Sequence, residues 1–188
     1  MQRRVACLAF GLGLLLSAAA APAAALTVEV GIARDGELVQ LDAVLVAPVT
    51  RSEAWAVLTD FDAMARYVPN LHESRVTLRA GNRLRVEQRG TARWGPLSHA
   101  FTTVRNVELV PMSLVQSYST GGSLQRVRSE TRFSDVAGGT RIRHHLEFAL
   151  ETWMPEFLAE AFLRHEVTEQ FEALVQEMLR RRGAPASR

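Results

Sequence analysis

The sequence predicts an α+β fold: a curved antiparallel β-sheet wrapped around a long C-terminal α-helix, with two short helices after the first strand. Three observations predict it. Thr140 to Glu151 alternates strictly, with Ile142, His144, Leu146, Phe148 and Leu150 on one face and Arg141, Arg143, His145, Glu147 and Glu151 on the other, because strand side chains have period two. That strand runs through Trp153-Met154-Pro155 into one amphipathic stretch reaching about Arg182, the length and pattern of a single long helix. Between Glu73 and Glu151 the chain is cut by short Gly and Pro breaks, which favour hairpins and an antiparallel meander. A one-sided sheet followed by one long helix places the helix over the sheet and leaves room for a cavity between them.

The elements follow in order. Met1-Gln2-Arg3-Arg4 is basic, Val5 to Leu16 is apolar, and an Ala-rich run ends at Ala23-Ala24-Ala25. This is the pattern of a secretory signal peptide over residues 1–25, cut after Ala25, and it predicts a periplasmic protein. The apolar run is shorter than the about 20 residues of a membrane span; left uncut, it would instead anchor the chain at a membrane. Leu38 to Val46 alternates as a strand, and Leu26 to Ala33 is either its extension or a hairpin partner through Asp35-Gly36. Pro48 ends that strand. Thr50 or Ser52 caps a helix through Glu53, Ala54, Trp55, Val57 and Leu58. Asp60 opens a second short helix, Phe61 to Tyr67, which stops before Pro69-Asn70.

Six strands follow: about Glu73–Leu78, Arg83–Trp94, Leu97–Val110, Ser113–Ser119, Leu124–Asp135 and Thr140–Glu151. Arg83, Arg85, Glu87, Arg89 and Arg93 share one face of the second of these, and Arg126, Arg128, Glu130 and Arg132 one face of the fifth. Together with the outer face of the last strand they form a mixed Arg/Glu surface, read as a solvated face laced by weak cross-strand pairs. The opposite faces carry Leu84, Val86 and Gln88, then His99, Phe101, Thr103, Arg105 and Val107, then Val127, Ser129, Thr131 and Phe133. That inner face is apolar but interspersed with hydrogen-bonding groups. A close-packed core would have to satisfy each of them, whereas a cavity leaves them to water or a ligand. On the terminal helix, Phe157, Ala161, Thr168, Phe171, Val175, Met178 and Leu179 form the apolar stripe, flanked by Arg164 and His165. Residues 183–188 are read as a disordered tail.

Composition narrows the chemistry. The one cysteine, Cys7, lies in the leader, so the mature chain has no thiolate nucleophile or disulfide. It contains no lysine, which excludes Schiff-base chemistry. Removing Arg3 and Arg4 from the 22 basic residues leaves 20 arginines against 20 acidic residues, a balance ill suited to nucleic acid. Five histidines are present, and His99, His144 and His165 are all predicted to point inward, but they sit on two strands and a helix with no short metal-ligand spacing. No metal and no cofactor is expected. Proton transfer by His144 or His165 with Glu166 or Glu169 is an alternative chemistry. Ser117 and Ser129 lack the elbow motif of a serine hydrolase. Arg164 or Arg105 would pair with a carboxylate or phosphate head group at the mouth of the cavity.

The order strand, two short helices, six antiparallel strands, long helix, with Asp60-Phe61-Asp62-Ala63-Met64-Ala65-Arg66-Tyr67-Val68-Pro69-Asn70 after the first helix, resembles the START-like (SRPBCC, helix-grip) superfamily. It is most similar to the polyketide cyclase/dehydrase and coenzyme Q-binding protein branch, with Gly121-Gly122-Ser123-Leu124 and Gly139-Thr140-Arg141-Ile142 as further matching segments. The resemblance covers Leu38 to Arg182, within a ligand-binding domain over 26–182. It implies a hydrophobic tunnel between sheet and helix that binds lipids, quinones, polyketides or other apolar molecules, in a family of carriers and enzymes with no universal catalytic residues. The expected partner is therefore a hydrophobic small molecule or lipid, met by a monomer through transient membrane contact. The walls are expected from Val86, Phe101, Val127, Phe133, His144, Leu146, Phe148, Phe157, Ala161, Arg164 and His165, with Phe61 to Leu71 at the entrance. Two alternatives are a cyclase, dehydratase or hydrolase using a cavity histidine as acid/base, and an interaction module using the Arg/Glu face.

Overall fold

The computed structural model describes residues 26–123, 126–149 and 156–184. The predicted leader, Leu124 and Gln125, the Leu150–Pro155 junction and the last four residues lie outside them. Eight strands form one antiparallel sheet in the order β1-β2-β8-β7-β6-β5-β4-β3. Of the two readings of the first segment, the hairpin holds: β1 (Glu29–Asp35) pairs along its length with β2 (Leu38–Ala47). Gly36 turns between them at φ +58°, a conformation that glycine adopts at little cost. The two short helices thus follow the second strand. β3 (Leu71–Ala80), β4 (Arg83–Trp94), β5 (Leu97–Val110), β6 (Leu114–Gly122), β7 (Arg128–Val136) and β8 (Gly139–Ala149) form the predicted meander, and β8 closes back onto β2.

Between β2 and β3 the chain must cross from one side of the sheet to its far edge. α1 (Arg51–Leu58) and a 3-10 turn (Phe61–Arg66) make that crossing. Thr50 is the N-cap of α1: its hydroxyl accepts from the Glu53 amide at 3.3 Å, and the Glu53 carboxylate accepts from the Thr50 amide at 2.7 Å. This reciprocal pair satisfies two amide donors at the helix start that otherwise lack partners. The predicted second helix is only a 3-10 turn. It is held from above by Tyr67, whose hydroxyl donates to the Val57 carbonyl at 3.1 Å, and from below by Ser74, whose hydroxyl donates to the Phe61 carbonyl at 2.5 Å.

α2 (Glu156–Gly183) lies across the concave face of the sheet. Its C-terminal half forms the core: Phe171, Leu174, Val175 and Met178 pack with Leu41, Leu45, Val57, Val86, Val107 and Ile142, all buried. At about 25 cal/mol per Å² of apolar surface removed from water, this cluster is the main stabilising term. Ion pairs seal that end. Arg181 reaches Asp60 at 2.8 Å and Glu177 at 2.7 Å, Arg180 reaches Glu177 at 2.6 Å, and the Arg181 guanidinium sits 5.5 Å from the centre of the Tyr67 ring. Hydrogen bonds from Arg180 and Arg181 draw the Glu177 carboxyl down to about 2.

The first half of α2 departs from the predicted stripe. Phe157 is 70% exposed and Arg164 and His165 face solvent, while Ala159 and Glu166 are buried. The stripe assumes that apolar side chains point inward, and that assumption requires a filled core beneath them. Here the helix spans a cavity whose wall carries polar groups. The outer face of the sheet matches its reading as a paired, solvated surface. Arg75–Glu73 (3.0 Å), Arg83–Glu108 (3.1 Å) and His145–Asp42 (2.8 Å) pair across or along strands. Among the described residues no helix is long and apolar enough to cross a membrane.

Candidate functional site: a cavity between sheet and helix

A cavity of about 750 Å³ lies between the inner face of the sheet, the first half of α2 and the 3-10 turn with its following loop. That volume falls within the range of about 300–1,000 Å³ typical of small-molecule sites. Phe61, Met64 and Val68 from the crossing segment close one side. Phe101, Val127, Leu146 and Phe148 from the sheet face Ala159, Phe162, Leu163 and Val167 from the helix. Phe101, Leu146 and Phe148 arrive there by strand alternation, and Val127 lies immediately before β7.

Polar groups lie in rows across this apolar chamber. Arg105 on β5 points inward beside Gln88 on β4; its Nη2 donates to Gln88 Oε1 at 2.5 Å. The Gln88 amide nitrogen donates in turn to Ser74 Oγ at 3.0 Å, so a hydrogen-bonded chain runs from Arg105 through Gln88 and Ser74 to the Phe61 carbonyl. Burial lowers the Arg105 guanidinium to about 10, so it stays cationic at neutral pH. Among the described residues no carboxylate pairs with it, and its Nε is buried without an acceptor. On the other side, Thr131 and His144 Nδ1 share a hydrogen bond of 2.8 Å, Ser117 and Ser129 one of 2.8 Å, and the His144 ring meets Phe171 edge-on with centroids 5.5 Å apart. Burial, aided by the positive charges of Arg105 and His145, lowers His144 to about 4 and keeps it neutral.

Glu166 ties the walls of the cavity together. Its carboxylate accepts from Asn70 Nδ2 at 2.7 Å and from the Arg93 amide at 2.7 Å, tying α2 to the loop and to β4. The same loop crosses β4 at Gly90, where the Thr91 amide donates to the Asn70 carbonyl at 2.8 Å. A Cβ on Gly90 would lie 2.1 Å from that carbonyl oxygen and 2.6 Å from the Phe101 ring, so only glycine permits this approach.

The predicted wall residues divide. Phe101, Val127, His144, Leu146 and Phe148 line the cavity. Val86 and Phe133 lie in the close-packed core, Phe133 edge-on to Trp55 with centroids 5.4 Å apart. Ala161 is half-buried away from the cavity, and Phe157 points to solvent. Arg164 pairs with Glu160 at 2.8 Å and donates to the Val30 carbonyl, and His165 lies 6.4 Å from Trp94 outside the chamber. Placing Phe157, Ala161, Arg164 and His165 on the wall is therefore corrected by the rotation of the helix. His99 reaches only the rim, and among the described residues no group of three metal-ligating side chains converges. The pairing of Asn70 with Glu166 escapes the sequence patterns. Asn70 and Glu166 are 96 residues apart, and Glu166 lies in a mostly polar run, Arg164-His165-Glu166-Val167-Thr168-Glu169-Gln170, that marks none of its members as inward-facing. Gln88 and Arg105 are readable from strand alternation alone.

The chain's similarities agree with this geometry. Residues 47–175 match the family described as polyketide cyclase / dehydrase and lipid transport. A search of the curated proteins finds no match. Among solved structures, the chain resembles the Zhui aromatase/cyclase from Streptomyces sp. R1128 (12% identity, TM-score 0.67, covering 80% of this chain and 99% of that one). It also resembles a protein of Thermus thermophilus (18% identity, TM-score 0.64, 74% and 97%). A third likeness is to the STAR-related lipid transfer protein from Xanthomonas axonopodis (12% identity, TM-score 0.59, 79% and 98%). At these identities the structures speak for the fold, and the family match spans most of the sheet, both crossing elements and the first part of α2. The chain belongs to the polyketide cyclase / dehydrase and lipid transport family.

Proposed function

We propose that the protein is an exported, monomeric carrier that holds a hydrophobic small molecule or lipid, such as a quinone or polyketide-like compound, in the cavity beneath the first half of α2. The observation that carries this reading is the chamber itself. A close-packed core would exclude about 750 Å³ of space lined mainly by apolar side chains, and filling it with a ligand removes apolar surface from water on both partners. The leader pattern of residues 1–25 supports delivery to the periplasm, where such a carrier would load and unload through transient contact with a membrane. The test is native mass spectrometry of periplasmically expressed protein, with extraction and identification of co-purified lipid. An empty protein that also takes up no hydrophobic fluorescent probe would refute the carrier. Amino-terminal sequencing of the same sample should begin at Leu26; a retained leader would refute cleavage and favour the anchored form.

The acid/base alternative is weakened by His144. A catalytic histidine is normally oriented by a carboxylate, whereas His144 meets Thr131 and Phe171, and Glu166 is engaged by Asn70 and the Arg93 amide. The interaction-module alternative is weakened by the outer Arg/Glu face, many of whose charges already pair with one another.

A further inference from the structure

Arg105 is anomalous in an apolar chamber. Moving an ionised group out of water is costly unless it is paired, and arginine carries five donors with no way to shed its charge in this environment. Among the described residues only Nη2 has a protein acceptor, Gln88 Oε1. Nε is enclosed without one, so a shift of the guanidinium toward a ligand breaks no bond there. Nη1 makes no hydrogen bond among the described residues, and Arg105 lines the cavity. The carboxylate on the wall, Glu166, commits one oxygen to Asn70 and the other to the Arg93 amide and forms no ion pair with Arg105. The other titratable side chain beside it on the wall, His144, is an imidazole, which carries no negative charge in either protonation state. Among the described residues, the chamber thus holds one inward cation without its complement, fixed in place by the Gln88–Ser74–Phe61 chain.

We propose that the cavity selects amphiphiles with a single anionic head, a carboxylate or a phosphate monoester, and that Arg105 binds that head inside the chamber while the apolar tail lies under α2. Gln88 acts as a positioning residue, holding the guanidinium edge toward the cavity. A two-oxygen head suits the planar fork of arginine and restores the pairing that burial demands. The proposal rests on the reading of the chamber as a hydrophobic ligand site and adds the chemistry of the head group.

The test uses the mature protein and four pyrene-labelled probes of one chain length, ending in a carboxylate, a phosphate monoester, an alcohol or a trimethylammonium group. The expected result is that at least one anionic probe binds about 10- to 100-fold more tightly than the alcohol, the range for one charge-assisted hydrogen-bonded contact, and that the cation binds worst. The ranking of the two anions identifies the source of the head. In Arg105→Gln the anionic probes should bind within about 3-fold of the alcohol measured on the same variant. Equal binding of acids and alcohol by the unaltered protein overturns the proposal without recourse to any variant, as does a preference that survives in folded Arg105→Gln. If no probe binds at all, the hydrophobic-site reading fails and this proposal fails with it; if all four bind alike, only the head-group assignment fails.

Discussion

Replacing Gly90 by alanine tests how the loop ending at Asn70 is held against β4. Alanine usually stabilises when it replaces a glycine of compatible backbone, by about 0.4–1 kcal/mol through the unfolded chain. At Gly90 the sign should reverse. The added methyl would lie 2.1 Å from the Asn70 carbonyl oxygen and 2.6 Å from the Phe101 ring, and the backbone contact cannot be relieved by a side-chain rotation. The loop must lift from β4, breaking the 2.8 Å bond from the Thr91 amide to the Asn70 carbonyl. That loss is worth about 1 kcal/mol, and the overpacking costs about 1–3 kcal/mol more. Set against the entropic gain, the net destabilisation is about 1–3 kcal/mol, or a fall in Tm of roughly 3–10 °C for a domain of this size. The measurement is urea unfolding followed by tryptophan fluorescence, paired with the release rate of a bound hydrophobic probe, which should rise. A Gly90→Ala protein as stable as its parent, or more stable, would refute the close approach of loop and strand.

Three further outcomes follow from the same geometry. Glu166→Ala removes two 2.7 Å charge-assisted bonds at a buried site and should cost about 3 kcal/mol or more, with Glu166→Gln losing about half as much, read by urea midpoint. His144 is held neutral, its value lowered to about 4; a base depressed in the folded state contributes stability that is complete above about pH 6.5 and is lost as pH falls toward 4. On the order of 3 kcal/mol should therefore disappear across that window, and His144→Gln should flatten that part of the stability profile. Thr50→Ala removes the N-cap of α1 and should cost about 1 kcal/mol in thermal melts, with no change in probe affinity.

The elements legible in the sequence are those governed by local rules. The capping box at Thr50 and Glu53, the turn at Gly36 and the inward alternation of Gln88, Thr103, Arg105, Ser129, Thr131 and His144 all depend on neighbours two to four residues away. Strand ends are less legible. Gly121 and Gly122 read as a break but are absorbed into β6, because a register shift between Val104 and Arg105 lets them pair with β5. A Cβ at Gly122 would lie 2.3 Å from the Thr102 carbonyl oxygen, a tertiary reason for the residue that no turn rule contains. The first half of α2 departs from its pattern because hydrophobic periodicity locates a filled interface. Over a cavity, Glu166 can face inward if Asn70 and a strand amide meet it, and Phe157 can face outward without loss to the core. The partners that decide this, Asn70 and Arg93, lie far away in the chain.

The unequal seating of α2 has a kinetic consequence. Its C-terminal half is fixed by the main apolar cluster and by the Arg181–Asp60 and Arg180–Glu177 pairs, whereas its first half overlies empty volume. Amide hydrogens from Phe171 onward should therefore exchange with solvent only on global unfolding, while those nearer Ala159 exchange through a local opening of lower free energy. The residence time of a bound hydrophobic probe would then be set by that local step, so mutations there would change it by a larger factor than they change global unfolding.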